Sequence, residues 1–136
     1  MSTESLSLMI KKVYEARDHA YAPYSKYLVG ACVKAEDGTL FTGCNIENAS
    51  YGLTICAERT AIFSMVNAGK RKITALALVG TGEALCTPCG ACRQVIREFA
   101  TPDLSIYLCN SSSPEIVKTV TLSSLLPMSF GPEFLE

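Results

Sequence analysis

Residues 73–80, ITALALVG, contain one polar side chain, Thr74. A strand with one wet face alternates apolar and polar residues, so a run this apolar predicts a strand covered on both sides. Helices must then lie above and below a sheet, and the chain supplies them. Leu6, Met9, Ile10, Val13, Ala16 and Ala20 recur at helical spacing and predict a first helix over residues 3–20, ended by Pro23. VGACVKAEDGTLFTGCNIEN, residues 29–48, reads as a hairpin turning at Asp37-Gly38. A second helix is expected over residues 56–68, with Gly69 as its stop signal. Thr87 as N-cap and Pro88 as first helical residue predict a third helix reaching about residue 99. LSIYLCN and EIVKTV are further strands, and Thr121 caps a short helix ending near Pro127. The expected class is α/β, a strand core with helices on both faces, in one domain over residues 1–136.

Composition narrows the partners. Apolar residues make up 49% of the chain and charged residues 18%, which favours self-association. The net charge of −1 and pI of about 5.9 offer no broad cationic field, which argues against nucleic acid as a partner. No apolar run approaches the length needed to span a membrane, and the N-terminus lacks the basic opening and apolar core of a secretory signal. A cytoplasmic location is expected. Seven cysteines are an odd number, and a reducing compartment argues against a disulfide framework.

The cysteines instead suggest a metal. Cys89 and Cys92 are three residues apart at a helix start, so they share one face and can grip a tetrahedral ion. Taken alone, the pair could equally be a redox couple or two buried thiols. Cys56 is the best third ligand. It stands two residues before Glu58, a spacing that on a regular helix points the two side chains apart. Cys56 is therefore expected in the turn entering the second helix, with Glu58 in its first turn; side chains there lean back toward the N-terminus and can meet beyond it. Three ligands leave one tetrahedral position for water, which marks catalytic rather than structural zinc. Glu58 then suits the base that takes the water's proton, although a first-turn glutamate also complements a helix dipole. CTPCGAC contains a second Cys-x-x-Cys pair through Cys86. If Cys86 were a fourth ligand the site would be closed; Pro88 argues against this by keeping Cys86 in the preceding loop.

The segments CAE and PCGAC match the C/H-x-E…P-C-x-x-C signature of zinc nucleoside and nucleobase deaminases. YAPYSKYLVGA, TGCNIENASY, CAERTA, PCGACRQV and LLPMSF follow in order from about residue 21 to residue 130. With these blocks the chain resembles the small cytidine deaminases that form homotetramers. The resemblance implies a three-layer cytidine-deaminase-like domain, a five-stranded mixed sheet flanked by helices. It implies hydrolysis of cytidine and deoxycytidine to uridine and deoxyuridine plus ammonia, by zinc-activated water, in pyrimidine salvage. Cys56, Cys89 and Cys92 would hold one Zn2+ per subunit, and Glu58 would shuttle protons. Asn45 and Glu47 resemble the pair that binds the ribose 3′-hydroxyl, and Ala57 is a further substrate contact. Tyr27 stands where the family usually has a phenylalanine against the base; its added hydroxyl needs a partner or water if buried. Ala49 and Tyr51 resemble residues reaching a neighbouring subunit's ribose, and Phe130 the aromatic that covers the base from another subunit. The sites would therefore lie at subunit interfaces.

Zinc with three thiolates carries a formal charge of −1, so something must withdraw charge from sulfur if water is to ionise readily. Two helix N-termini contribute. Arg59, next to Glu58, is the further candidate, because its guanidinium can donate to thiolates and keeps its charge; the plain alternative is a surface ion pair. Rival functions are a deaminase of another cytosine-containing nucleoside or of a cytosine in RNA, and, from another class, a structural zinc module. A carboxylate at the sugar predicts that Glu47 repels phosphate. His19 is expected to be structural or exposed, and Phe130 could by itself be core.

Overall fold

The computed structural model describes residues 1–135. Strands β1 (Val29–Ala35), β2 (Leu40–Cys44), β3 (Ile73–Gly80), β4 (Ser105–Cys109) and β5 (Ile116–Thr121) form one sheet in the order β2-β1-β3-β4-β5. β3 and β4 run parallel and every other neighbouring pair is antiparallel, so the expected five-stranded mixed sheet is present. The helices are α1 (Thr3–Asp18), α2 (Ala57–Asn67), α3 (Gly90–Phe99) and α4 (Leu122–Leu125).

The apolar run at β3 sits at the centre of the sheet and feeds two cores. Ala75, Ala77 and Val79 pack with Met9, Ile10 and Val13 of α1 on one face. Leu76 and Leu78 pack with Ala61, Ile62 and Met65 of α2 and Ile96 of α3 on the other. Thr74, the one polar residue of the run, is exposed. Each fully buried Leu or Ile here stabilises the fold by roughly 1.5–3 kcal/mol. Both alanines of β3 face α1.

The turns follow their glycines. Gly38 has φ +90° at the β1–β2 turn, and Gly69 has φ +89° just past the end of α2, the left-handed region that costs a glycine nothing. Gly43 acts differently. A Cβ there would overlap the Ala57 carbonyl and the Ala61 amide of α2, so the missing side chain lets the start of α2 settle onto β2.

Three boundaries differ from the sequence expectation. α1 ends at Asp18, with His19 as an exposed C-cap whose amide bonds to Ala16 O. The hairpin stops at Cys44 rather than residue 48. Beyond it, the Asn45 side chain accepts from Val29 N at 2.9 Å and donates to Tyr27 O at 2.8 Å. The following backbone pairs with Tyr21 and Ile55 instead of β1. Finally, α3 is capped by Cys89, not Thr87, because the Cys89 sulfur accepts the Cys92 amide at 3.4 Å. Pro88 lies just outside the helix, its carbonyl taken by Arg93 Nε at 2.6 Å. No helix among the described residues is long and apolar enough to cross a membrane.

Candidate active site

α2 and α3 point their N-termini at one place. Cys56 is the N-cap of α2 and Cys89 the N-cap of α3, each in extended backbone, and Cys92 lies in the first turn of α3. The Cys56 side chain makes no capping bond, which leaves its sulfur to face outward from the helix end. The three sulfurs all lie within 4.8 Å of one another, and those of Cys56 and Cys89 are 3.9 Å apart. A tetrahedral ion about 2.3 Å from each sulfur would hold sulfurs about 3.8 Å apart, so this donor set fits zinc. Cys86 is not part of the group.

Glu58 sits one residue inside α2 and is buried, only 4% exposed. Burial pushes its carboxyl up to about 7, and the negative charge of Cys56 acts in the same direction. The Cys56 thiol moves the other way, down to about 5, through hydrogen bonding with Cys92 first and with Arg59 after that. Cys92 is raised correspondingly, since a second thiolate beside Cys56 is disfavoured. Arg59 Nη2 donates to Cys56 Sγ at 3.4 Å. Arg59 Nε is buried and has no hydrogen-bond partner among the described residues. The guanidinium thus lies against the cluster rather than in a surface ion pair, and its own pKa is raised chiefly by Cys56.

The remaining candidates form a second group beside the first. Glu47 accepts from Tyr24 N at 2.9 Å, from Ser25 N at 3.1 Å and from the Ser25 hydroxyl. The Ser25 hydroxyl also accepts from Tyr27 N at 3.0 Å. Asn45 and Glu47 therefore hold the backbone on either side of Lys26, which adopts φ +63°. The Tyr27 ring extends from this turn over Gly80 and Gly82, where a Cβ would overlap it, and its hydroxyl lies beside Cys86 above Gly80. Cys86 in turn lies close enough to Glu58 and Cys56 for their charges to raise its pKa, after burial. Ala57 is fully buried at the start of α2. A cleft of about 420 Å³ lies between Tyr24, Ser25, Glu47, Tyr51 and Thr54. Ala49 and Tyr51 are exposed, and Tyr51, which lines the cleft, makes an edge contact with Tyr24. Phe130 is 53% exposed, so it is not core.

Three contributors take roles that no local pattern assigns. Ser25 lies inside the YAPYSKYLVGA block, which gives it no role of its own, yet it joins Glu47 to Tyr27. Arg93 fixes the entry to α3 by donating to Pro88 O and to Leu125 O, the latter at 2.8 Å. Cys86 was legible only as a possible ligand; its contact with Tyr27 depends on a neighbour far away in sequence.

Residues 3–108 match the model of the cytidine and deoxycytidylate deaminase zinc-binding region. The chain is 48% identical over 136 residues to a cytidine deaminase of Sporosarcina psychrophila, covering 100% of this chain and 96% of the relative. It is 45% identical over 126 residues to a cytidine deaminase of Halalkalibacterium halodurans, covering 93% and 94%. Among solved structures, the crystal structure of cytidine deaminase from Burkholderia pseudomallei superposes with a TM-score of 0.85 at 44% identity, covering 96% of this chain and 100% of that one.

Proposed function

We propose, from the premise that the chain belongs to the zinc-dependent cytidine and deoxycytidylate deaminase family, how its own residues carry the family's reaction. That reaction is the hydrolytic deamination of cytidine and deoxycytidine to uridine and deoxyuridine plus ammonia. The observation that carries the assignment is the meeting of three sulfurs from two helix ends beside a buried carboxylate. Cys56, Cys89 and Cys92 would hold the zinc ion, one per subunit. When bound there, zinc polarises a water and so supplies the nucleophile for C4 of the pyrimidine.

The chain does the rest. Glu58 accepts the water's first proton and gives it to N3; it then takes the second from the hydroxyl added at C4 and gives it to the amine, which leaves as ammonia while C4=O forms, one carboxylate serving as base and then acid. Its burial keeps bulk water from competing for those protons. Arg59 withdraws charge from the Cys56 sulfur. The Tyr27 ring packs against the base, and Ala57 lines the site. Asn45 and Glu47 meet the ribose; Glu47 carries its charge there because the Ser25 hydroxyl holds its carboxyl below the usual range. Ala49, Tyr51 and Phe130 are exposed and serve a neighbouring subunit's site in a homotetramer. Residues 1–136 act as one domain, in the cytoplasm.

The test follows the ultraviolet absorbance of cytidine, deoxycytidine, cytidine monophosphate and a cytosine oligonucleotide, with zinc measured per chain. Wild type is expected to deaminate both nucleosides. Glu58→Gln should keep zinc and lose about two to four orders of magnitude in kcat. A Glu58→Gln enzyme of undiminished turnover would overturn the assignment.

A further inference from the structure

α3 begins at the sulfur cluster and carries a buried cation near its far end. Arg97 is 5% exposed. It reaches the C-terminal segment twice: Nε donates to Ser129 Oγ at 2.8 Å, and Nη2 forms an ion pair with Glu133. One turn earlier on the helix, Gln94 Nε2 donates to Phe130 O at 2.9 Å. Gly131 lies flat on the guanidinium, where a Cβ would overlap it. Phe130 is thus gripped on both sides along the chain, while its ring stays exposed and stacks on Phe134 with centroids 4.8 Å apart.

A buried arginine with one carboxylate partner is weak evidence for stability, because desolvation offsets the attraction. Its placement here does something more specific. It holds a short segment in one conformation and leaves an aromatic pair facing outward. An aromatic that must cover a ligand binds more tightly when the segment carrying it is ordered beforehand. We propose that Arg97 is a positioning residue that, through Ser129 and Glu133, presents Phe130 to the active site of a second copy of this chain. The proposal rests on the assignment of Phe130 to a neighbour's base given above. It makes α3 the common support of two sites: its N-terminus holds metal ligands of its own subunit, and its far end holds the lid of another.

The experiment compares Glu133→Gln, the milder Ser129→Ala, Phe130→Ala and the double variant Phe130→Ala/Glu133→Gln. Readouts are kcat and KM for cytidine, zinc content, mass by light scattering and amide exchange over residues 128–135. Glu133→Gln is expected to raise KM about fivefold, with a smaller rise for Ser129→Ala. Zinc content, mass and kcat should hold, and amides around residue 130 should exchange faster. In the Phe130→Ala background the Glu133 change should add nothing to KM, because its effect passes through that ring. A Glu133→Gln enzyme with faster exchange and unchanged KM, or a fully additive double variant, overturns the positioning role alone. An unchanged KM in Phe130→Ala overturns the assignment of Phe130 itself, and the positioning role with it.

Discussion

Arg59 Nη2 lies 3.4 Å from the sulfur of Cys56, and Arg59 N donates to Cys56 O at 3.1 Å. Backbone and side chain of one residue therefore close on the same cysteine. The spacing is that of neighbours on a helix face, with Cys56 at the cap and Arg59 in the first turn. Removing the charge but keeping a donor isolates its effect on sulfur. Arg59→Gln is expected to lower kcat about tenfold, the scale of one hydrogen bond to a charged group, with zinc content unchanged. Steady-state kinetics with metal analysis checks this; full turnover and an unaltered pH–rate profile would take Arg59 out of the chemistry.

Cys86 lies beside Tyr27 and is not one of the three grouped sulfurs. Cys86→Ala should therefore keep one zinc per chain and near-normal kcat, with KM carrying whatever change follows from a less constrained Tyr27 ring. Loss of stoichiometric metal in this variant would mean that Cys86 closes the site as a fourth ligand.

Glu47 accepts hydrogen bonds from Tyr24 and Ser25, and the Ser25 hydroxyl is the leading reason its carboxyl titrates below the ordinary range. It is therefore charged at neutral pH, on the wall of the cleft that Tyr51 also lines. A 5′-phosphate brought near it is repelled. Cytidine should exceed its monophosphate in kcat/KM by about tenfold or more, and Glu47→Gln should narrow that gap. Preference for the monophosphate would remove Glu47 from the sugar.

The Tyr27 hydroxyl is pushed up to about 12, by burial first and by the neighbouring Cys86 thiol second. The folded chain thus holds this proton more tightly than the unfolded one. The stability it contributes is fully present below an unfolded pKa of about 10 and is lost as pH rises from there toward 12. Thermal unfolding should fall across that window in wild type and fall less steeply in Tyr27→Phe. Parallel alkaline limbs in the two proteins would mean that the hydroxyl is not held as described.

Much of this was legible along the chain. The two-faced burial of β3 follows from ITALALVG, because side chains alternate in a strand and a run without polar residues needs two cores. Asp37-Gly38 and Gly69 mark a turn and a helix end through backbone freedom that neighbours in sequence reveal. Cys56 could be placed at the entry to α2 because residues two apart on a helix do not meet. What tertiary structure decided were the contacts between remote segments. Thr87-Pro88 looks like a helix start, yet the Cys89 sulfur takes the Cys92 amide and becomes the cap. NIEN continues a hairpin by pattern, yet Asn45 spends its amide on Val29 and Tyr27 and leads the chain away. Nothing local in CRQVIREF says that Arg97 is buried, because its carboxylate arrives from the far end of the chain. Periodicity and turn chemistry act over a few residues and are written in order; which distant groups share a desolvated space depends on how the layers close, and only the closed structure decides that.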